Sequence, residues 1–322
     1  MNTSPSAFSI PLARYRFEWE VETPLRLPEY AGSALRGVFG SALRGVVCLT
    51  GQTECPGCGL WRTCPYPLIF ETPPPLVAEG EKFMGVTPNP YVIEPPPWGA
   101  REYRPGETLV FHMVLVGKAL AQLALIFLAW QRALARGVGP GNGTARLQRV
   151  VLMEAYSETV IFTREIGVIR DHESTVSVPP WPGEHALPVA MLTPTRIQRD
   201  GSPLGPERLT PRDLLVALMR RVSQMVEIHG AEVMRANYAE LARQASLIDA
   251  RGRLAWRDWT RRSARQQQTM SLGGVVGVWT FTGPLELFWS YLYLGQWLHL
   301  GKNATFGLGH YRLGIGTGSA NG

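Results

Sequence analysis

The chain has four cysteines, Cys48, Cys55, Cys58 and Cys64, and all of them fall in one short stretch. Thiolates bind zinc well, and a Cys-x2-Cys pair with two more cysteines nearby supplies the donors of a tetrahedral site. A structural zinc on these four residues is therefore the expectation; reduced or partly oxidised thiols and an iron–sulfur cluster are the alternatives. A second group suits phosphate. Arg253, Arg257, Arg261, Arg262 and Arg265 lie close together with a single acid, Asp258, and with Trp256 and Trp259 interleaved. Arginine makes bidentate contacts to phosphate and an indole offers a face to a base, so this segment is expected to touch nucleic acid; a merely solvated charged surface is the plainer reading. A third group is the run Gly301, Lys302, Asn303, Ala304, Thr305, Phe306, Gly307, Leu308 and Gly309. Such a loop can turn backbone N–H groups toward phosphate oxygens while the lysine adds charge. His299, just ahead of it, is a candidate for proton transfer, since an imidazole can exchange protons under physiological conditions, or else a hydrogen-bonding residue. His310, His172 and His185 are weaker candidates, and His112 reads as structural.

Regular elements must position these groups. Tyr15, Phe17, Trp19 and Val21 alternate with Arg16, Glu18 and Glu20, the period of a half-buried strand. From Ser33 to Val47 the period changes: Ala34, Leu35, Val38, Phe39, Ala42, Leu43, Val46 and Val47 share one helical face. The other face holds Ser33, Arg36, Gly37, Gly40, Ser41 and Arg44, where glycines would let another backbone approach beside positive charge; a solvated face is the alternative. Residues 48–106 lose periodicity, are rich in proline, and read as a Cys/Pro-rich insertion. A strand at Leu109–Val116, a helix at Lys118–Arg136 and a strand-like stretch from Arg146 to Phe162 follow, then a linker at Val178–Glu184. The second half repeats the plan, with strands near 187–196, 247–256 and 275–282 and helices at 211–229 and 284–297. The fold class is α+β, two tandem ferredoxin-like domains at 8–170 and 186–322.

Composition narrows the function. The 322 residues are 45% hydrophobic and 18% charged, ordinary values for globular domains and enough chain for two. The longest apolar stretch, Ala119–Trp130, falls short of the ~20 residues that cross a bilayer, so no membrane association is expected. The first residues lack the pattern of a secretory leader, and a cytoplasmic location is the expectation. The chain carries 32 lysines and arginines against 26 acids, and the surplus sits in residues 161–322, where a polyanion would be attracted.

The C-terminal sequences RRSARQQQTMSLGGVVGVWTFTG and LGQWLHLGKNATFGLGHYRL resemble the RAMP superfamily, whose glycine-rich loop ends in Gly-hydrophobic-Gly. The N-terminal YAGSALRGVFGSALRGVVC, the cysteine pattern after it and LTPTRIQRDG are similar to the endoribonucleases that cut precursor CRISPR RNA. The resemblance covers roughly residues 25–70 and 186–313. It implies RNA held along a basic surface by Arg257, Arg261, Arg262, Arg265, Gly301, Lys302, Asn303, Thr305, Gly307 and Gly309. It also implies metal-independent cleavage of CRISPR repeat RNA to 2′,3′-cyclic phosphate and 5′-OH ends, with further CRISPR effector subunits as partners. Tyr30 resembles the family's active-site tyrosine, or else packs beside the helix entrance. Arg36 and Arg44 would neutralise developing charge, and Ser41 stands where related helices can carry histidine. No histidine precedes His112, which leaves a catalytically inactive RNA-binding subunit as the other reading.

Overall fold

The computed structural model describes residues 9–76, 86–155, 157–230, 236–262 and 269–314, with residues 261, 262 and 269–271 as backbone only. The chain divides into two units, residues 10–176 with 224–232 and residues 177–223 with the remainder of the C-terminal half.

The first unit runs β1 (Ser9–Val21), β2 (Leu25–Leu27), α1 (Gly32–Val47), α2 (Pro65–Phe70), β3 (Tyr91–Glu94), β4 (Arg101–Tyr103), β5 (Thr108–Val116), α3 (Leu123–Arg136), β6 (Ala145–Met153), β7 (Glu158–Thr163) and β8 (Thr175–Ser177). Its main sheet has the order β3-β5-β1-β6-β7, with β8 also paired to β1. Neighbours along that path are antiparallel. Reduced to β1-α1-β3-β5-α3-β6, this is a ferredoxin-like βαββαβ module. The alternation of β1 does what its period requires: Tyr15, Phe17 and Trp19 face the core, in register with Met113, Phe111 and Leu109 of β5. Phe111 and Phe39 meet Trp130 of α3 at ring separations of 4.6 and 4.8 Å. Each such ring contributes on the order of 1.5–3 kcal/mol by leaving water. The opposite face of β1 is a lattice of ion pairs, Arg16 with Glu18 and Glu158, and Glu18 with Arg149.

Three expectations need correction here. The strand expected over 146–162 is two strands, because a turn closes at Glu154 N–H to Ser157 O (3.0 Å) with the Ser157 hydroxyl on the Glu154 carboxylate. The stretch 48–106 is not simply inserted, since β3 is an integral strand of the sheet. The glycine face of α1 is taken in part: a Cβ at Gly40 would lie 2.2 Å from Phe70 Cζ, so that missing side chain makes room for α2, while Gly37 is exposed with nothing within 4 Å.

The second unit contains β9 (Ala186–Thr195), β10 (Gln198–Arg199), β11 (Ser202–Pro203), α4 (Pro211–His229), α5 (Tyr238–Gln244), β12 (Asp249–Arg257), β13 (Thr260–Arg262), β14 (Thr269–Ser271), β15 (Gly274–Thr282), α6 (Trp289–Leu298) and β16 (Tyr311–Leu313). The sheet order β12-β15-β9-β16 repeats the first unit's plan, and β13 and β14 form a separate hairpin. Both halves are thus ferredoxin-like. α4 starts at a capping box: Thr210 Oγ1 accepts from Asp213 N–H at 3.2 Å, and the Asp213 carboxylate accepts from Thr210 N–H at 3.1 Å. Leu214, Leu215, Leu218 and Val222 then bury one face of the helix. The helix expected over 284–297 begins as a 3-10 turn, Leu285–Phe288, before α6 proper, as the one expected over 118–136 does at Gly117–Gln122.

Candidate nucleic-acid interface

α6 ends at Leu298, and His299 turns the chain with φ of 57°, a left-handed conformation. The loop that follows is clamped to the end of β9. Leu300 N–H donates to Gly309 O (3.0 Å), Lys302 N–H to Arg196 O (3.0 Å) and Gly309 N–H to Pro194 O (3.1 Å). The Thr193 hydroxyl donates to Gly307 O and accepts from His310 N–H, both at 2.9 Å. Phe306 and Gly307 N–H groups close on Asn303 and Ala304 carbonyls within the loop. These amides are turned inward, where the sequence pattern suggested that they face phosphate. The glycines serve the loop's own path: a Cβ at Gly309 would sit 1.7 Å from Leu300 O, and one at Gly301 2.5 Å from Arg196 O. Lys302 is exposed, Asn303 and Thr305 are partly exposed, and Gly307 and Gly309 are buried. The loop therefore presents a cation and two polar side chains on a stiff frame.

His299 is fully buried. Its Nδ1 donates to Leu308 O at 3.2 Å, and its ring stacks parallel on His310 at 4.7 Å. That geometry packs the ring into the loop and covers it from solvent. A second support comes from α4: Arg221 donates from Nε (3.3 Å) and Nη2 (3.0 Å) to Leu298 O, the last carbonyl of α6.

On β12 the alternation sets Arg251, Arg253 and Arg257 outward while Ala250, Leu254 and Trp256 are half-buried. Trp256 Nε1 donates to Asp258 Oδ1 at 2.7 Å, which fixes the indole beside these arginines. Arg261 and Arg262 belong to β13 by backbone, and Arg265 lies outside the described residues. Thr193, Arg196 and Arg221, which hold the loop, and Arg251, exposed on β12, were not among the expected residues. Only the motif LTPTRIQRDG, which contains Thr193 and Arg196, carried a signal for any of them.

In the first unit Tyr30 is buried against Trp98, with ring centroids 4.9 Å apart. Burial first, and then the Glu94 carboxylate, hold its phenol well above the ordinary tyrosine range, so it is a neutral O–H at physiological pH. Arg36 turns into the protein: Nε donates to the Tyr91 hydroxyl at 2.9 Å and the guanidinium lies 4.1 Å over Phe70. Arg44 donates to Gln52 O and sits over Tyr66. Both arginines thus hold the segment after α1 to the helix, a structural use that the sequence alone did not suggest. Ser41 is exposed on the same helix. Elsewhere in the unit His172 is tied to the Tyr15 hydroxyl at 2.9 Å.

All four cysteines line one cavity at the C-terminal end of α1, beside Arg44 and Thr50. None is in a disulfide. Among the described residues no three of these sulfurs lie within 4.8 Å of one another, so the donors are gathered but not drawn to the ~2.3 Å zinc–sulfur distance.

Comparison with known proteins places this architecture. The family model AF_1859_N, an N-terminal domain, matches residues 10–174. The model of the CRISPR-associated endoribonuclease Cas6 matches residues 189–311, the stretch that carries the loop and the arginine-bearing strand. No curated protein matches the chain. Among solved structures, a chain of a partial Cas6-RT-Cas1–Cas2 complex is similar over 98% of this chain with a TM-score of 0.57 and 15% identity; only 48% of that longer chain is covered. A Cas6 product complex matches over 94% of this chain and 98% of its own, with a TM-score of 0.55 and 18% identity. Cas6 of Thermus thermophilus matches over 96% and 100%, with a TM-score of 0.51 and 15% identity. At these identities the likeness is one of fold. Two ferredoxin-like units in tandem, the second with a glycine loop between its last helix and last strand, are the fold that the chain shares with these structures. The second unit of the chain is similar to the Cas6 family of CRISPR-associated endoribonucleases over residues 189–311. Among the described residues, no helix is long and apolar enough to cross a membrane.

Proposed function

We propose that this chain binds CRISPR repeat RNA and cuts precursor CRISPR RNA to guide length, leaving 2′,3′-cyclic phosphate and 5′-OH ends. The observation that carries the reading is the glycine loop locked to β9 with Lys302 outward, within the stretch that the Cas6 model matches. Arg251, Arg253 and Arg257 extend positive charge along an exposed strand of the same unit, and single-stranded RNA is recognised by such a combination of cations and stacking faces. The 2′-OH attacks its own phosphate, so the reaction calls for proton transfer and charge stabilisation and for no metal. Zinc, expected at the cysteines, stays outside the cut. Ser41 on the exposed side of α1 and Tyr30 as a neutral donor are the first-unit candidates. Other CRISPR subunits are the proposed protein partners, and the cytoplasm the proposed compartment.

The burial of Tyr30 and His299 favours one competing reading, an RNA-gripping subunit without cleavage. Incubating pure protein with EDTA and end-labelled repeat RNA from its own genome separates the two. One defined cut bearing a cyclic phosphate, weakened in Ser41→Ala or Tyr30→Phe but retained in His299→Asn protein that still folds, is the expected result. Tight binding with intact RNA would establish the non-cleaving subunit instead.

A further inference from the structure

We propose that Cys48, Cys55, Cys58 and Cys64 are the four ligands of a thiolate metal site for zinc, and that the bound ion clamps the segment after α1 onto that helix. The four residues come from points where the backbone is already fixed. Cys48 ends α1, its N–H bonded to Arg44 O at 2.9 Å. Cys55 and Cys58 bracket a tight turn closed by Cys58 N–H to Cys55 O at 3.0 Å, with Pro56 and then Gly57 at φ of 89°. Proline followed by a left-handed glycine is the type II pattern, and it brings the residues at its two ends together. Cys64 caps α2, and its N–H returns to Leu60 O at 2.8 Å. All four thiols line the same cavity, and Thr50 Oγ1 stands between two of them, 4.0 Å from Cys48 Sγ and 3.6 Å from Cys58 Sγ.

The surroundings suit thiolates. Arg44 lines the cavity and bonds to the loop backbone at Gln52 O, which places a fixed positive charge beside sulfurs that must each give up a proton to solvent on ligation. The rim is free to move inward: Leu49 is 87% exposed, and residues 50–54 are exposed throughout. The other side is anchored, because Cys55 and Cys64 pack against the hydrophobic core. Closing the shell therefore asks for movement of the exposed segment Leu49–Glu54 and of the Cys58 end of the turn, and not of α1, α2 or the anchored Cys55 and Cys64. A soft-ligand set of four sulfurs selects zinc over magnesium or calcium, and an iron–sulfur cluster is the other occupant such a set admits.

The test uses the full chain, purified under reducing conditions without chelator. Elemental analysis is expected to give one zinc per chain. After stripping, addition of Co2+ is expected to produce the sulfur-to-cobalt charge-transfer band and visible bands of a tetrahedral thiolate site, and added zinc to bleach them. Cys58→Ser, on the exposed turn, is expected to retain the fold by circular dichroism while losing the metal and lowering Tm by several degrees; chelator is expected to lower the Tm of the wild type and not of the variant. Protein with four titratable thiols, no zinc and no cobalt spectrum would overturn the proposal. Iron with sulfide in place of zinc would overturn it in favour of a cluster. RNA cleavage is not a readout here, so failure of this site leaves the nuclease reading untouched.

Discussion

At the level of single residues, Lys302 and Gly309 separate two jobs that one loop combines. Lys302 is exposed, and its charge is available to a phosphate. Gly309 is buried and exists because no Cβ fits 1.7 Å from Leu300 O at φ of 71°. Lys302→Ala should weaken single-stranded RNA binding and reduce the slope of log K against log salt by ~0.7, the share of one phosphate contact. Gly309→Ala should destabilise the fold by roughly 2 kcal/mol or more, because the clash is with backbone and the conformation is strained for alanine. Fluorescence titrations of labelled RNA across a salt series, with urea melts beside them, check both. An unchanged slope for Lys302→Ala would remove the lysine from the contact surface. The glycine pattern was legible in sequence, but its reason was not. A run of glycines looks the same whether its amides face a ligand or its own strand, and only the bonds to Pro194, Arg196 and Gly309 decide it. Tyr30 was obscure for a similar cause: Trp98 and Glu94, which bury it and hold its proton, lie far along the chain.

At the level of elements, periodicity carried most of the architecture. α4 matches the expected 211–229, and the strands around Phe17, Val189 and Phe281 are where alternation placed them. What escaped were breaks governed by local bonds, such as the Glu154–Ser157 turn, and short pieces such as α2 and α5 that have too few residues for a period to register. Contacts between elements were beyond reach, and Arg221 is the one with most consequence. It sits on α4, yet its guanidinium caps the C-terminal carbonyl of α6, where the helix dipole is negative, just before the chain turns at His299. Burial pulls its pKa down to about 10, so it keeps its charge at neutral pH. Arg221→Leu should leave that carbonyl without its charged donor and cost ~1–3 kcal/mol. Hydrogen exchange should show the loss as faster exchange at Leu300, Lys302 and Gly309 amides, with Arg221→Lys in between. A variant that loses stability evenly across the second unit, with no excess at the loop, would reduce Arg221 to general packing.

At the scale of the whole molecule the same βαββαβ order occurs twice, and each copy closes its core around buried tyrosines whose phenols cannot ionise in place. Burial is the leading cause in every case. In the first unit it raises Tyr15, Tyr30 and Tyr66 well above the ordinary range, and Tyr91 to about 12. In the second it raises Tyr311 strongly and Tyr291 to about 12. The sign of the linkage follows directly. Above pH ~10 the unfolded chain's tyrosines release protons while the folded chain's retain them, so the native state binds more protons and stability falls as pH rises. The stabilisation is complete below pH ~10 and is lost progressively above it, up to about 12 for Tyr91 and Tyr291 and beyond that for the others, by up to ~1.4 kcal/mol per pH unit for each such tyrosine. Unfolding should therefore be abrupt, with tyrosinate absorbance from these residues appearing together with the loss of far-UV circular dichroism. Tyr91→Phe should move the midpoint upward, provided its stability at pH 7 falls by no more than the bond from Arg36 is worth, ~1.5–3 kcal/mol for a hydrogen bond to a charged group. If tyrosinate absorbance instead rose smoothly through pH 10 ahead of the circular dichroism, the phenols would be reachable by solvent in the folded chain. The packing of β1, β3 and α6 around them would then be looser than described.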